Sequence, residues 1–408
     1  MYEQIPPDSA DRNFGIHPDV LKLGLVSFMT DLSSEMIFSV FAIFFTTIAG
    51  ASAALLGLVE GLADFSSSSL DYLAGWLSDR TGKRKVFALA GYGFSTLAKI
   101  ILLLTSSVVG LGAFRIIERL GKSFRGAPRD AWLSAVSDKG IRGYSFGVHK
   151  ALDKSGAIFG PLFAYGLLWW LGNHASTFRT LFWVALFPAV LSVVLLGFIK
   201  EKPGDQHKRE NMFKTWKILS PEFKRYLVAA GIFSLGYFSF GFLLLRAHGV
   251  GFAVDDIALL FALFNVALVV SAPVIGKLGD RFGRARIIVL GYFLYFLMSF
   301  GFAFATTKGE VVVLFVVYGV FYSIDEAQSK AFIVDLESDR RASAIGVYNF
   351  LTGIIYVPAS LIAGVLWTMR PVGAFLLAAF LALAAIVAIL ILRPDRCRGR
   401  DAQANPPQ

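Results

Sequence analysis

The sequence lacks most of the features on which soluble proteins and enzymes depend. Among its 408 residues there is one cysteine, Cys397, so an intrachain disulfide is excluded. Charged residues make up only 17% of the chain, too few to cover a typical soluble domain. There is no GxxxxGK(S/T) phosphate-binding loop and no cysteine–histidine spacing typical of a zinc site. We therefore predict a protein that is not an enzyme, takes no cofactor or metal ion and is not driven by ATP.

The sequence has long apolar runs instead. Hydrophobic residues make up 56% of the chain, and the mean hydropathy is +0.63. A run of about 20 apolar residues matches the roughly 30 Å hydrocarbon core of a bilayer, where a helix satisfies its own backbone. Twelve such runs predict an all-α multi-pass protein in the lipid bilayer, with spans at about 20–48, 54–75, 86–106, 108–127, 144–171, 178–199, 223–246, 254–276, 287–306, 311–334, 342–369 and 372–393.

The chain divides into two related halves. A polar segment separates the sixth and seventh runs, and it predicts a tail at 1–19, a bundle at 20–199, a linker at 200–222, a bundle at 223–393 and a tail at 394–408. The halves repeat, because GWLSDRTGKRK at 75–85 matches GKLGDRFGRAR at 276–286, and RGYSFGVHK at 142–150 matches RASAIGVYN at 341–349. This duplication predicts two six-helix bundles related by a pseudo-two-fold axis along the membrane normal.

Basic residues predict the orientation. Lys and Arg concentrate after spans 2, 4, 6, 8 and 10 and in the C-terminal tail, whereas the opposite side holds Arg179, Arg246, Lys308 and Arg370. Positive charge stays inside, so we expect both termini in the cytoplasm and the protein in a cell membrane, as in a bacterial inner membrane. The net charge of +10 is assigned to these loops and not to a nucleic-acid surface. The N-terminus shows no cleavable signal, so the first span is expected to direct insertion, and we expect a monomer.

Two short motifs carry a family resemblance. One follows span 2 and its copy follows span 8, and both resemble the loop signature of the major facilitator superfamily: Gly75-x-x-x-Asp79-Arg80-x-Gly82 and Gly276-x-x-x-Asp280-Arg281-x-Gly283. The resemblance covers nearly the whole chain and implies alternating access, with these loops as gates. Gly75 would let helices approach closely, and Gly82 would permit a turn with positive φ. The alternative is that the motifs only fix topology.

A third motif refines the resemblance. Gly156-x-x-x-Gly160-Pro161 in span 5 resembles the antiporter signature of the drug:proton branch of the superfamily. Its glycines and proline predict close packing and a hinge. The match is partial, because Ala164 and Tyr165 stand where a second glycine pair would follow. The motif therefore favours export without establishing it.

Ionisable side chains inside the spans are candidates for proton coupling, since each costs about 2.5–3.5 kcal/mol on insertion scales. They are Asp31 and Glu35 in span 1, Arg115 and Glu118 in span 4, and His149 and Asp153 in span 5. The resemblance implies that spans 1, 4, 7 and 10 line a central cavity. Asp31 would then carry the proton, and Arg115, at the place of the family's membrane-embedded arginine, would face it. Structural ion pairs that orient helices are the alternative.

The second half offers a different kind of wall. Its spans are poor in charge, and its candidates for substrate contact are Tyr237 and Phe240 in span 7, Asn265 in span 8, and Tyr322 and Asp325 in span 10. An aromatic wall with few polar groups suits an amphipathic organic molecule. Packing or lipid contact is the alternative for these aromatic residues.

These patterns predict a secondary transporter that couples protons to the export of small, drug-like organic molecules. One alternative is a proton-coupled carrier of an anionic substrate, such as an organic acid, a phosphate ester or a carboxylate siderophore. The basic stripe of Arg115, Arg119 and Lys122 favours that alternative, and the nearby acidic residues oppose it. Another alternative is a membrane sensor or scaffold without transport, which the paired gating motifs disfavour.

Overall fold

The structure is a computed structural model that describes residues 16–137, 141–201, 219–337 and 340–394, without the side chains of Tyr72, Asp79 and Ala342. Most of each predicted tail, 1–19 and 394–408, lies outside the described residues. So does most of the predicted linker 200–222. The division of the chain into those five segments stays a prediction.

The described chain is helical throughout, as predicted. In the first half, the helices are α1 (Pro18–Ile43, extended by a π-helical turn at Phe44–Ile48), α2 (Ala53–Thr81), α3 (Arg84–Leu104), α4 (Val108–Val136), α5 (Arg142–Leu171) and α6 (Ala175–Phe198). The second half contains α7 (Pro221–Gly236), α8 (Phe240–Gly249), α9 (Val254–Phe282), α10 (Arg284–Phe304), α11 (Lys308–Leu336), α12 (Arg341–Met369) and α13 (Pro371–Leu392). Because α7 and α8 follow one another in a single span, all twelve predicted spans coincide with helices.

The internal repeat is visible in the helix bounds. Helix α2 begins at Ala53 and α9 begins at Val254, and both have 29 residues. Helices α3 and α10 have 21 residues each, and α4 and α11 have 29 each. The spacing between counterparts is close to the shift of about 200 residues that relates the two loop motifs. The helices therefore repeat as the sequence does.

The helices differ in how apolar they are. Among the described residues, eight helices are long and apolar enough to cross a membrane. The remaining long helices, α2, α4, α5 and α11, supply many charged side chains of the cavity described below. Ionisable residues of membrane helices face the bundle interior, where water and opposite charges lower their cost.

The seventh span is broken, which corrects the prediction of one continuous helix at 223–246. Helix α7 ends at Gly236, and Tyr237 is extended, with φ of −80° and ψ of 122°. The Ser239 hydroxyl accepts a hydrogen bond from the Gly241 N–H at 3.1 Å and starts α8. The Tyr295 hydroxyl donates to the Gly236 carbonyl at 3.0 Å, which satisfies an acceptor that the break would leave bare. Irregular backbone at this depth is tolerated where it lines a cavity, as it does here.

The two halves meet where α2 packs on α12 and α5 packs on α9. On the α2–α12 seam, a Cβ at Gly61 would lie 2.9 Å from the Cα of Val357, and one at Gly364 would lie 2.8 Å from the Cα of Ala54. These positions accept only glycine without a shift of the backbone. Small residues allow such close approach between membrane helices, where packing drives association.

Candidate functional site

A central cavity of about 810 Å³ lies between the two halves. One end holds exposed charged side chains, with side-chain exposures of 52% for Asp130 and 53% for Lys150. The other end is formed by buried residues such as Phe41, 2% exposed, and Leu244, 1% exposed. Since α4 ends and α5 begins near the exposed residues, the cavity opens at the end of the bundle where the linker 200–222 connects the halves.

Contacts between the halves lie at both ends of the cavity. At the closed end, the Asn173 side chain donates a hydrogen bond to Asp255 at 3.1 Å. At the open end, Glu326 of α11 forms ion pairs with Lys150 and Lys154 of α5, at 3.3 and 3.7 Å. The exposed pair at Lys150 contributes little to stability, because solvent screens it.

The wall formed by the first half is charged. Arg115 of α4 binds Glu60 of α2 through two parallel hydrogen bonds of 2.6 and 2.8 Å, and both side chains are 6% exposed. The guanidinium of Arg115 also stacks on the Phe38 ring at 4.0 Å. Arg119, one turn further along α4, lies 3.8 Å from Asp64. Two cations of the predicted basic stripe are thus already matched by carboxylates of α2.

Glu118 lies behind this wall, outside the residues that line the cavity. It is 1% exposed, accepts a hydrogen bond from Ser34 at 3.2 Å and lies 3.9 Å from Arg115. The ammonium of Lys99, on α3, donates to the same Ser34 hydroxyl at 3.1 Å, and Lys99 is fully buried. Lys99 was not predicted as a site residue, because its position in the sequence favoured a structural role. These groups form a polar chain from α3 through α1 to α4.

Asp31 does not face Arg115, which corrects the predicted pairing. Its carboxylate lies 3.8 Å from Arg125, and its side chain is 15% exposed and does not line the cavity. Arg125 lies three helical turns along α4 from Arg115 and also donates to Ser95 at 2.6 Å. Span order correctly brings α1 beside α4, but it cannot fix the height at which side chains meet.

Glu35 and Lys122 are the cavity charges that the protein leaves unmatched on this wall. Both line the cavity, with Glu35 on α1 half-buried and Lys122 on α4 exposed to the cavity space. Within the described residues, neither has a hydrogen bond or an ion pair shorter than 4.0 Å. Glu35 was a predicted coupling residue, whereas Lys122 entered the prediction only as part of the basic stripe.

His149 and Asp153 of α5 lie together away from the cavity. His149 is 3% exposed, and its Nε2 lies 3.2 Å from the Ser27 hydroxyl. Asp153 lies 3.5 Å from Arg129 and 3.8 Å from Lys150. Of the six predicted coupling residues, the structure thus places only Glu35 and Arg115 at the cavity surface.

The wall formed by the second half is aromatic, as predicted. Phe240 lies 4.8 Å from Phe264 and 5.5 Å from Tyr318 between ring centroids. The Phe264 and Tyr322 rings lie 5.6 Å apart, and the Tyr237 and Tyr318 hydroxyls lie 3.4 Å apart. All five side chains line the cavity. They form a nearly continuous apolar surface with phenol hydroxyls at its edges.

Two polar candidates share this second wall. Asn265 lines the cavity, but it is 5% exposed and its amide donates to the Phe261 carbonyl at 3.1 Å. Asp325 lines the cavity and accepts a hydrogen bond from Ser329 at 3.3 Å. Asp325 is therefore better placed than Asn265 to contact a ligand.

The loop motifs form tight turns. Gly82 has a positive φ of 69°, as predicted, and its counterpart Gly283 has a positive φ of 91°. Arg80 stacks on Trp76 at 5.3 Å, and Arg281 stacks on Phe282 at 5.3 Å.

The motif aspartates and first glycines have unequal surroundings. The Asp280 side chain is 75% exposed and lies 3.6 Å from Arg284. The Asp79 side chain lies outside the described residues. Gly75 is buried, whereas a Cβ at Gly276 would meet nothing within 4 Å. Close approach in the second copy occurs instead at Gly279, against Gln328, so Gly276 is not a packing glycine.

The glycines of α5 bring that helix against α1. A Cβ at Gly156 would lie 2.9 Å from the Leu32 nitrogen, and one at Gly160 would lie 2.6 Å from the Leu32 carbonyl oxygen. Pro161 follows inside the helix and is buried. This is the close packing that the motif predicts.

Comparisons with known proteins agree with this architecture. The family model described as Major Facilitator Superfamily matches residues 23–246 and 226–407. An uncharacterized MFS-type transporter of Methanocaldococcus jannaschii is 35% identical over 382 residues, covering 92% of this chain and 94% of the relative. Multidrug resistance protein MdtG of Salmonella arizonae is 24% identical over 270 residues, covering 63% of this chain and 65% of that protein. A mutant of the nucleoside transporter NupG matches in structure with a TM-score of 0.79 and 12% identity, covering 91% of this chain and 99% of that one.

Proposed function

Because this chain belongs to the major facilitator superfamily of secondary transporters, we propose that it exports small amphipathic organic molecules in exchange for protons. It is a multi-pass membrane transporter with a twelve-helix fold, and it is not an enzyme. The proposal concerns its substrate, its coupling ion and its direction.

The observation that carries the proposal is the two-sided cavity. One wall presents ion pairs and unmatched charges from α1, α2 and α4, and the other presents the aromatic rings of α8, α9 and α11. A ligand that bridges these walls needs an apolar body and a charged or polar end. Pockets for organic ligands combine apolar lining with a few placed polar groups in the same way.

Glu35 is the group that we assign to proton exchange. It lies at the cavity surface without an ion pair, so water in the open cavity can reach its carboxylate. A cationic substrate and a proton would compete for that one carboxylate, which couples their movements in opposite directions. Asp31 lies one helical turn away beside Arg125, and there it serves as a structural partner of α4.

An anionic substrate is less well supported. The cavity is lined by seven basic side chains (Arg115, Arg119, Lys122, Arg129, Lys150, Lys154 and Lys330) and by seven acidic ones (Glu35, Glu60, Asp64, Asp71, Asp130, Asp325 and Glu326). These charges balance, so the cavity has no excess positive charge to attract a net anion. The pairing of Arg115 with Glu60 removes the strongest member of the basic stripe from that role.

The open end of the cavity supports the proposed export and orientation. By the positive-inside rule that end faces the cytoplasm, in a bacterial inner membrane, with both termini on the same side. A cavity that opens there loads cytoplasmic molecules. The relation to a multidrug resistance protein and the α5 glycine motif support the drug:proton branch. The protein is proposed to work as a monomer.

The proposal is tested with purified protein and a panel of aromatic amines, such as tryptamine and phenethylamine. Compounds that raise the apparent melting temperature are then placed on one side of proteoliposomes that contain a pH-sensitive dye. If the protein exchanges the amine for protons, the protons should move in the direction opposite to that of the amine. Tyr322→Ala should weaken both signals, and Phe293→Ala, whose ring is 43% exposed on the outer surface, is the matched control. Proton movement in the same direction as the amine would contradict antiport.

A further inference from the structure

The cavity presents two opposite charges on one wall, and neither is held in an ion pair among the residues that this structure describes. Glu35 lies on α1 and Lys122 lies on α4, and both line the cavity. No ion pair shorter than 4.0 Å joins them, and within the described part of the chain neither has another partner within that distance. By contrast, Arg115 on the same wall is paired with its own carboxylate.

An unmatched charge becomes costly when a transporter closes around its cavity. While the cavity is open, water solvates the Lys122 ammonium, which is exposed to the cavity space. Occlusion removes that water, and a buried charge without a partner destabilises the closed state. A proton can neutralise Glu35, whereas Lys122 becomes neutral only by releasing its own proton. An anionic group on the ligand would give Lys122 a partner in the occluded state and would let it keep its proton.

We propose that the substrate carries both charges: an ammonium that binds Glu35, a carboxylate or similar anion that binds Lys122, and an aromatic or apolar body that packs against Phe240 and Tyr322. This inference deepens the proposed function and rests on it for the role of Glu35. It assigns Lys122 as the residue that selects for an anionic group. The equal numbers of acidic and basic side chains around the cavity fit a substrate without net charge.

The aromatic wall would contact the apolar body of such a substrate. The rings of Phe240, Phe264 and Tyr322 face the charged wall across the cavity, and consecutive rings along this series are 4.8 and 5.6 Å apart. A dipolar head group on Glu35 and Lys122 would let the body of the ligand contact this wall. Aromatic rings favour offset or edge-on contact with a planar body.

The experiment uses compounds that share one body and differ in charge. Tryptophan carries both charges, tryptamine carries only the ammonium and indole-3-propionate carries only the carboxylate. Phenylalanine, phenethylamine and 3-phenylpropionate form a second series. Binding to the full-length protein in lipid nanodiscs is measured by calorimetry or thermal shift for the wild type, Lys122→Met and Lys122→Arg. Lys330→Met, which removes an exposed lysine of the same cavity, is the matched control.

We expect the dipolar member of a series to bind the wild type about tenfold or more tightly than either singly charged member, since a hydrogen bond to a charged group contributes about 1.5–3 kcal/mol. Lys122→Met should abolish the tighter binding of the dipolar compound without weakening the binding of the amine. Lys122→Arg should retain the tighter binding, and Lys330→Met should leave it unchanged. The inference is overturned if the amines bind as tightly as the dipolar compounds, if Lys122→Met weakens both equally, or if no dipolar compound binds.

Proton flux in proteoliposomes separates this result from the proposed function. If amines drive Glu35-dependent proton exchange and dipolar compounds do not bind, antiport stands and the dipolar substrate is rejected. If dipolar compounds bind through Lys122 but move no protons, the substrate class stands and proton coupling is rejected.

Discussion

Removing one partner of the ion pair between Glu60 and Arg115 should destabilise the protein far more than removing both. The pair makes two hydrogen bonds of 2.6 and 2.8 Å, and each side chain is only 6% exposed. Breaking such a pair costs about 3–5 kcal/mol, because one charge stays buried without its partner. The loss in free energy of unfolding caused by Arg115→Met should lie near the upper end of that range. The loss caused by Glu60→Met should lie near the lower end, since Arg115 would still have the Glu118 carboxylate as a partner at 3.9 Å.

The free energy of unfolding of the double variant Glu60→Met and Arg115→Met should recover to within about 1 kcal/mol of the wild type, because both charges of the pair are gone and Glu118 keeps its hydrogen bond from Ser34. The free energy of unfolding is measured in lipid bicelles by denaturant titration. The pair Arg284 and Asp335, 3.2 Å apart and about a third exposed, is the control, and its loss should cost about 0–1 kcal/mol. Two results would contradict this role of the ion pair. One is a loss of less than about 1 kcal/mol in free energy of unfolding for each single variant, and the other is a loss in the double variant equal to the sum of the two single losses.

Three further predictions concern the gate, the seam and the orientation. Asp79→Asn should slow transport without preventing membrane insertion, as measured by initial uptake rates. Asp280→Asn, at an exposed side chain, should slow transport less. Normal transport rates in both variants would show that the motifs only fix topology. Gly61→Leu should destabilise the protein by about 1–3 kcal/mol, because its Cβ would lie 2.9 Å from the facing backbone, whereas Gly93→Leu, in open space, should change little in the same denaturation assay. A reporter inserted after Glu210, outside the described residues, should be accessible only from the cytoplasm, and labelling from outside would reverse the orientation.

Hydropathy predicted the helices well because each span must satisfy its backbone within the bilayer. The bounds of α2 and α9 differ from the predicted spans mainly at their ends, where the helices continue to Thr81 and Phe282 beyond the apolar core. The break after Gly236 was not predicted, because the residues around it are as apolar as those of a continuous helix. Its signals were Gly236 and the capping Ser239, both of which also occur inside unbroken helices.

The kinds of residue that line the cavity were predicted better than the partners with which they pair. The family resemblance placed spans 1, 4, 7 and 10 around one cavity, but the rotation and height of each helix decide which atoms meet. Asp31 was therefore expected at Arg115 and lies at Arg125, while Arg115 binds Glu60, a residue that was not selected. Lys122 stands out because it has no hydrogen bond or ion pair among the described residues, which only a structure can reveal.

Glu35 is proposed to exchange its proton for the charged group of the substrate at the cavity surface. The most direct test of this exchange is proton flux driven by a gradient of tryptamine, or of another amine that binds, in proteoliposomes of the wild type, Glu35→Gln and Asp31→Asn. The account predicts that Glu35→Gln abolishes the proton flux, since glutamine cannot release a proton, while Asp31→Asn retains it at a reduced rate. Coupled flux that survives in Glu35→Gln and disappears in Asp31→Asn would contradict the account and return the proton site to Asp31.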